Sequence, residues 1–354
     1  MVMVDSNKPK KLATVNTILK NIFLHSENSS KEVDEELFFR GESCPYGFRL
    51  PSLYREEKLV RRGSEYYYRT LLNELGRDDY TENTSLVRMI SELQHYGAKT
   101  RMLDITKSPL VALYFAVEKD DDKPGFIHIY GVERMKEKFD TGHTVAIKSA
   151  LNFMPQDIID DFLIVCHRIE KKLDNGNIEI LGGVPIIEMR EKINNYIRDE
   201  EGEKAFNKLN NFMNLLNQRA RTREKLVYPF KIYKDLISSQ IVLPSKTTER
   251  IRQQQGAFIY PSVVSTKRSD GVSKEYVEIQ QEISGSIDEF ATELHTNKED
   301  KKTGGTLSFS VIQIDGKRKE KIRKQLELLG ITSGYMYPDI EHQSRALIDK
   351  LNVM

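Results

Sequence analysis

The chain has 354 residues, of which 39% are hydrophobic and 30% charged, and its 54 basic residues nearly balance its 53 acidic ones. This is the composition of a globular protein, with length for one large domain or two small ones. Because the net charge is only +1, bulk attraction to nucleic acid or membrane is excluded, and a polyanion site has to be a local patch. Two cysteines, Cys44 and Cys166, are too few for a disulfide framework or a cysteine zinc site.

The start of the sequence, MVMVDSNKPKKLA, lacks the apolar core of a secretory signal. No stretch approaches the roughly 20 apolar residues that span a bilayer. We therefore expect a cytoplasmic protein without a membrane partner.

Apolar periodicity predicts the elements of the first half of the chain. The predicted order begins with a helix, a short strand that ends at Arg40 and Gly41, and two further helices. A half-buried strand comes next and is followed by an apolar helix whose N-cap is Ser108. The expected helices are 11–24, 64–75, Asn83 or Thr84 to about Tyr96, and one from Pro109 onward, and the expected strands are 36–40 and 100–106.

The second half combines short strands with one long polar helical segment. That segment, at about 190–226, is predicted to be a helical insertion. The other expected elements are strands at 124–132, 143–148, 177–187, 239–243, 256–260 and 306–314, helices at 317–329 and 339–351, and mobile loops at 264–275 and 297–306.

The run Gln94–Val117, QHYGAKTRMLDITKSPLVALYFAV, concentrates polar side chains just before an apolar helix. Arg101, Asp104, Thr106 and Ser108 lie in its extended part and at the helix start. A strand followed by a polar turn and a helix start exposes side chains at a sheet edge, and a helix start can hold an anion. The run therefore predicts a binding site.

Five blocks of sequence resemble those of FRG domain proteins and occur in the same order. They are FFRGES at 38–43, PSLYR at 51–55, the run at 94–117, RIRQQQGAFIYP at 250–261 and LLGITSGYMYPDIE at 328–341. The resemblance implies an FRG domain over 36–354, after an N-terminal helix and lead-in over 1–35. FRG domains occur in bacteria and their phages, often beside defence functions. The resemblance thus implies that the protein is an effector or toxin of a bacterial anti-phage defence system, with another chain of that system as its partner.

The order of the blocks is similar, more distantly, to that of ADP-ribosyltransferases with arginine, serine and glutamate motifs. This similarity implies an α+β fold with a mixed or antiparallel split sheet, flanked by helices and carrying the helical insertion. It also implies a nucleotide-binding cleft, NAD as the cofactor, and a protein or nucleic-acid acceptor.

The same similarity assigns roles to individual residues. The implied catalytic residues are Arg40, Asp104, Thr106 and Gln255, and the implied NAD contacts are Arg40, Gly41, Arg101, Thr106, Ser108 and Gln254. The planar fork of an arginine suits a pyrophosphate, and hydroxyls at a helix start orient a ribose. A nearby carboxylate stabilises the positive charge that develops on ribose as nicotinamide leaves. No metal is expected.

Gln254 and Gln255 stand where these enzymes have a glutamate, and an amide brings no charge. The sequence does not decide whether Glu42, Asp104 or Glu249 supplies the carboxylate. It also leaves open whether the protein is an enzyme or a non-catalytic module that senses a ligand or partner.

Three further alternatives stay open. In the first, Arg40 pairs with Asp104 to brace a turn. In the second, Thr106 and Ser108 serve as caps. In the third, the basic run 219–225 binds nucleic-acid phosphates, although such runs are usually solvated helix faces. The absence of GxxxxGK[ST], HExxH and GxSxG motifs leaves P-loop, zincin and hydrolase hypotheses without support.

Overall fold

Strands from both ends of the chain build one sheet, which helices cover on both faces. The structure is a computed structural model that describes residues 10–12, 14–28, 35–76, 84–173, 176–299 and 306–353. The strands are β1 (Lys10–Lys11), β2 (Glu35–Glu42), β3 (Leu103–Thr106), β4 (Gly125–Glu133), β5 (Lys138–Phe139), β6 (Gln240–Leu243), β7 (Gly256–Tyr260), β8 (Leu294–Glu299), β9 (Thr306–Phe309) and β10 (Val311–Ile314).

The helices alternate with these strands along the chain. They are α1 (Val15–Asn28), α2 (Glu57–Arg62), α3 (Glu65–Leu75), α4 (Leu86–His95), α5 (Pro109–Val117), α6 (His143–Ala150), α7 (Gln156–Glu170), α8 (Glu179–Gly182), α9 (Ile186–Asn194), α10 (Asp199–Arg219), α11 (Pro229–Ile237), α12 (Glu249–Gln253), α13 (Tyr276–Asp288), α14 (Lys319–Leu328), α15 (Ser333–Met336) and α16 (Ile340–Val353).

The main sheet of the described residues has eight strands in the order β1-β10-β4-β2-β3-β7-β6-β5. The outer pairs, β1 with β10 and β5 with β6, are parallel, and the inner pairs are antiparallel. β8 and β9 form a separate two-stranded sheet. This mixed sheet with flanking helices confirms the predicted α+β class.

The sheet is narrowest between β2 and β3. β2 pairs with β4 along its whole length, from Glu35↔Glu133 to Glu42↔Phe126. With β3 it shares only the pair Phe39↔Thr106. The sheet is thus nearly split into two halves at its centre.

Each half of the front face, the face that carries Phe39 and Phe258, has its own helices. Over β2, β4 and β10, helices α1, α5 and α14 form one core. Over β6 and β7, helices α4, α6, α7, α10 and α11 form a larger one. A third core lies on the back face, where residues 50–54, α2 and α13 pack against Phe38 and Ile259. The two front cores leave a gap above the junction of β2 and β3.

Two predicted strands are wrong, because 143–148 belongs to α6 and 177–187 contains α8 and the start of α9. Both segments carry β-branched residues, but packing among helices decides their conformation. Val145 and Ile147, for example, are buried in the helical core. The predicted strand 306–314 is interrupted at Ser310, whose carbonyl accepts from the Ile129 amide at 3.0 Å.

The N-cap of α4 also differs from prediction. The Ser85 side chain, not that of Thr84, accepts from the Arg88 amide, and the other predicted cap, Asn83, lies outside the described residues. The predicted loop at 264–275 contains no helix, whereas that at 297–306 overlaps the end of β8 and the start of β9, and its residues 300–305 lie outside the described ones.

The predicted insertion at 190–226 holds the end of α9 and all of α10, but helices continue on both sides from α6 to α11. A buried lysine, Lys148 on α6, connects this helical layer to the main chain at residues 236, 238 and 261. Its ammonium donates to the carbonyls of Leu236, Ser238 and Pro261 at 3.3, 2.6 and 2.9 Å. Since an ammonium has three donors, all of them are satisfied, which makes its burial tolerable.

Helix α5 lies directly on the backbone of β2 and β4 because glycines face it. A Cβ at Gly41 would come 1.8 Å from the Ala112 carbonyl oxygen, and one at Gly125 would come 2.1 Å from that of Ala116. The glycine of the FRG block is therefore required for helix packing.

We expect Gly41→Ala to cost about 3 kcal/mol or more, because the methyl group meets backbone atoms and the helix has to move. Urea unfolding followed by circular dichroism measures this. Gly285→Ala is the control, since nothing lies within 4 Å of its added Cβ on α13. It should leave stability unchanged or raise it by up to about 1 kcal/mol. Equal unfolding midpoints for Gly41→Ala and wild type would contradict the packing role.

Candidate functional site

A cleft of about 250 Å³ lies in the gap above the junction of β2 and β3. Six elements contribute to its walls: β2, β3, β7, α4, α5 and α12. Its lining residues are Phe39, Arg40, Gly41, Gln94, His95, Asp104, Ile105, Thr106, Val111, Phe115, Arg250, Ile251, Gln254, Gly256, Ala257 and Phe258. Aromatic and aliphatic side chains thus share the cleft with two arginines and a carboxylate.

Arg40 bridges the two halves of the sheet at this point. Its Nε donates to Glu42 Oε1 at 2.9 Å, and its Nη1 donates to the Asp104 main-chain carbonyl at 2.8 Å. Burial would lower the pKa of Arg40, but the negative charges of Glu42 and Asp104 outweigh it and raise that pKa. In the alternative that Arg40 pairs with Asp104, the contact is with the main-chain carbonyl of Asp104, whereas the ion-pair partner of Arg40 is Glu42.

Asp104 projects from β3 into the cleft with its side chain held in place. Its Oδ1 accepts from Gln94 Nε2 at 2.6 Å, and Gln94 Oε1 accepts from the Thr100 hydroxyl at 2.6 Å. The surrounding cleft walls desolvate the carboxylate and raise its pKa, while Arg40 and Arg250 partly oppose this shift. The Asp104 side chain is thus exposed to solvent, yet protein groups surround its carboxylate, and the cations Arg40 and Arg250 lie nearby.

Arg250 and His95 were not assigned roles from the sequence, yet both line the cleft. The Arg250 guanidinium lies 5.1 Å from the centre of the Tyr337 ring, and its buried Nε has no hydrogen-bond partner among the described residues. Burial, and then the charge of Arg250, lower the pKa of His95 to about 4. The imidazole is therefore neutral at pH 7. The sequence analysis identified the block RIRQQQ at 250–255, but it did not predict that Arg250 lines the site.

The hydroxyls predicted for ribose contacts are engaged within the protein. Thr106 Oγ1 donates to the Gln254 carbonyl at 2.6 Å and accepts from the Ser108 amide at 2.9 Å. Ser108 Oγ caps α5 by accepting from the Val111 amide at 3.4 Å, and Ser108 does not line the cleft. Thr106 thus ties the end of β3 to the end of α12.

The two glutamines point in different directions. Gln254 lines the cleft, and its Nε2 donates to the Met336 carbonyl at 2.9 Å. Gln255 is exposed in a left-handed turn, with φ +46°, and does not line the cleft. Of the two glutamines, only Gln254 therefore lines the cleft.

The C-terminal segment holds α12 from outside. Besides the bond from Gln254 to Met336, the Tyr335 hydroxyl donates to the Gln253 carbonyl at 3.0 Å. The last of the five sequence blocks thereby fixes the helix that carries Arg250.

Arg101 is buried away from the cleft. It donates to the Tyr54 hydroxyl at 3.2 Å and to Gln156 Oε1 at 3.5 Å, while its buried Nε lacks a partner among the described residues. The structure therefore gathers Arg40, Gly41, Asp104, Thr106 and Gln254 around one cleft and leaves Arg101, Ser108 and Gln255 out of its lining.

The other two candidate carboxylates lie elsewhere. Glu42 is behind the sheet, and Glu249 is exposed on α12, where it accepts from Gln253 Nε2 at 3.3 Å. Within the part of the chain that the structure describes, no group of three or more His, Cys, Asp or Glu side chains could hold a metal ion. No helix in that part has both the length and the apolar character to cross a membrane.

The basic run lies at a separate surface groove of about 620 Å³. Arg69, Arg219, Arg221 and Arg223 line it, and Arg69 and Arg219 share the carboxylate of Glu65. This groove includes Leu86 at the start of α4, whereas the cleft includes His95 at its end.

Comparison with known proteins gives one match. No curated protein and no solved structure matches the chain. Residues 35–124 match the family model described as the FRG domain. The match runs from β2 to the residue before β4, so it includes Arg40, Asp104 and α5, whereas the wall built by α12 and β7 lies outside it. The chain therefore contains an FRG domain, which supplies one side of the cleft.

Proposed function

We propose that the cleft binds a nucleotide, with NAD as the first candidate, and that the protein is an ADP-ribosyltransferase-like effector. The observation that carries this proposal is the placement of one carboxylate, Asp104, in a partly apolar cleft with two arginines. In the cell, we propose that it acts in the cytoplasm as the toxic part of a bacterial anti-phage defence system. Its acceptor would be a protein or a nucleic acid.

The size and lining of the cleft suit part of a dinucleotide. Ligand pockets commonly measure about 300–1,000 Å³, and this one measures about 250 Å³. It therefore suits a nicotinamide riboside portion, with the remainder of NAD outside. Phe39, Phe115 and Phe258 offer apolar surface for a planar ring, while Arg40 and Arg250 suit the pyrophosphate.

Asp104 is the residue proposed to support the reaction. When the bond between ribose C1′ and nicotinamide breaks, its electron pair leaves with the nicotinamide and positive charge develops on the sugar. A nucleophile of the acceptor then bonds to C1′ and loses its proton. Asp104 stabilises the developing charge in place of the glutamate that Gln254 and Gln255 replace, since it is the one carboxylate among the lining residues.

A second candidate is a non-catalytic module that senses a nucleotide or another small ligand. It is favoured by the internal bonding of the Thr106 hydroxyl and the Gln254 amide, which leaves few polar groups free for a ribose. Incubation with NAD separates the two candidates. An enzyme releases nicotinamide and adds ADP-ribose to an acceptor, whereas the module binds ligand without either product. The enzyme proposal fails if purified protein with cell extract as acceptor yields neither.

Asp104→Asn should slow nicotinamide release about 100-fold or more while changing NAD affinity less than about threefold. Asparagine keeps an oxygen that accepts from Gln94, so only the charge is removed. Steady-state kinetics and calorimetric titration measure the two effects. Glu249→Gln is the control, because that exposed carboxylate lies outside the cleft lining. A rate for Asp104→Asn equal to the wild-type rate would remove this residue from the chemistry.

Arg250→Gln should weaken NAD binding about tenfold, because it removes a charged donor from the cleft. Arg252→Gln is the matched control on the same helix, since Arg252 is exposed and does not line the cleft. Titration of both variants with NAD, together with their melting curves, tests this expectation. If both lose affinity equally, the effect is one of net charge and not of the cleft.

A further inference from the structure

A second cavity, of about 540 Å³, lies on the back face of the sheet, behind Arg40. Glu42, Arg49, His128, Tyr130 and Asp288 are among its lining residues. Glu42 belongs to the same strand as Arg40 and is only 4% exposed. One side chain thus connects this cavity with the arginine of the cleft.

Both oxygens of Glu42 are occupied by neighbours. Oε1 accepts from Arg40 Nε at 2.9 Å, and Oε2 lies 3.3 Å from His128 Nε2. Burial would raise the pKa of Glu42, but His128 and Arg40 outweigh it and lower that pKa to about 2. The carboxylate is therefore charged throughout the range in which most proteins are folded.

The negative charge of Glu42 helps to orient the guanidinium of Arg40, as the hydrogen bonds of Arg40 indicate. Nε is held by Glu42 and Nη1 by the Asp104 carbonyl, and Nη2 has no hydrogen-bond partner among the described residues. A guanidinium is planar, so fixing Nε and Nη1 also fixes the direction of Nη2. An arginine held in this way loses little entropy when it binds an anion.

We propose that Glu42 is a positioning residue, which holds Arg40 from behind the sheet so that Nη2 stays available to a ligand in the cleft. The proposal rests on the proposed function for the identity of that ligand, but not for the geometry. His128 on β4 holds the second oxygen of Glu42 and so supports the same arrangement. In the sequence FRGE at 39–42, the arginine thus binds the proposed ligand, the glycine allows α5 to pack closely, and the glutamate orients the arginine.

The charged and titratable groups around Glu42 come from four places. Arg40 lies on the same strand, His128 and Tyr130 lie on β4, Tyr46 and Arg49 lie in the loop after β2, and Asp288 lies on α13. Asp288 lines the same cavity, but its ion pair is with Arg49 and not with Arg40. Asp288→Asn is therefore a matched control for removing a charge from Glu42.

The experiment compares Glu42→Gln with Asp288→Asn by two readouts at pH 7. The first is NAD affinity, which should fall about tenfold in Glu42→Gln and stay unchanged in Asp288→Asn. The second is NMR of the arginine Nε–H groups, with Arg40 assigned through Arg40→Lys. The Arg40 Nε proton should exchange with water faster in Glu42→Gln only. A signal and an affinity like those of wild type in Glu42→Gln would overturn the proposal.

The two readouts separate this proposal from the proposed function. If wild type does not bind NAD but the Arg40 signal still depends on Glu42, the nucleotide proposal fails and the positioning role stands. If Glu42→Gln does not fold, His128→Gln provides the test, because it removes the support of only one carboxylate oxygen. It should give a smaller increase in the exchange of the Arg40 proton, and an unchanged signal there would overturn the proposal.

A pH series adds a readout specific to the charge of Glu42. Because its folded pKa of about 2 lies below the ordinary 4.5, its stabilising contribution is complete above pH 4.5 and is lost as pH falls toward 2. The difference in melting temperature between wild type and Glu42→Gln should therefore shrink as the pH falls from 4.5 toward 2. A difference that does not change with pH would mean that the charge is not held as described.

Discussion

The Arg40 guanidinium connects two half-sheets that share a single register pair. One half carries α1, α5 and α14, and the other carries the helical layer from α4 to α11. Between them, the contact of Arg40 with the Asp104 carbonyl is a charge-assisted hydrogen bond at 2.8 Å. The cleft lies where the halves share this single pair, and Arg40 and Asp104, which line it, also connect the halves. The proposed binding site and the architecture of the sheet thus depend on the same side chain.

The balance of charge in the cleft follows from that arrangement. Arg40 forms its ion pair with Glu42, so among the described residues the charged groups of the cleft that form no ion pair are Arg250 and Asp104. His95 adds no charge at pH 7 because its pKa is about 4. This distribution of charge suits the proposed ligand, NAD, which has an anionic pyrophosphate and a ribose that becomes positive in the proposed reaction.

Much of this arrangement followed from the sequence, for identifiable reasons. The FRG strand, the polar run before α5 and the region of α12 are local patterns with strong start and stop signals, and the structure brings them together at one cleft. Gln255 and Arg101 lie outside the cleft lining, because a left-handed turn and a buried guanidinium depend on tertiary contacts that no short pattern reveals. The strand predicted at 143–148 failed for the same kind of reason, since its β-branched residues are buried among helices.

The bonds from residues 335 and 336 to α12 have a consequence for the timing of synthesis. α12 carries Arg250, and the residues at its end are bonded to Tyr335 and Met336, which follow 82 residues later in the chain. While the ribosome is still translating, a nascent polypeptide has the FRG strand and Asp104 but not the clamp that sets the opposite wall. The cleft therefore reaches its final shape only after residues 335 and 336 have been synthesised, and premature termination before this clamp yields a product without a completed site.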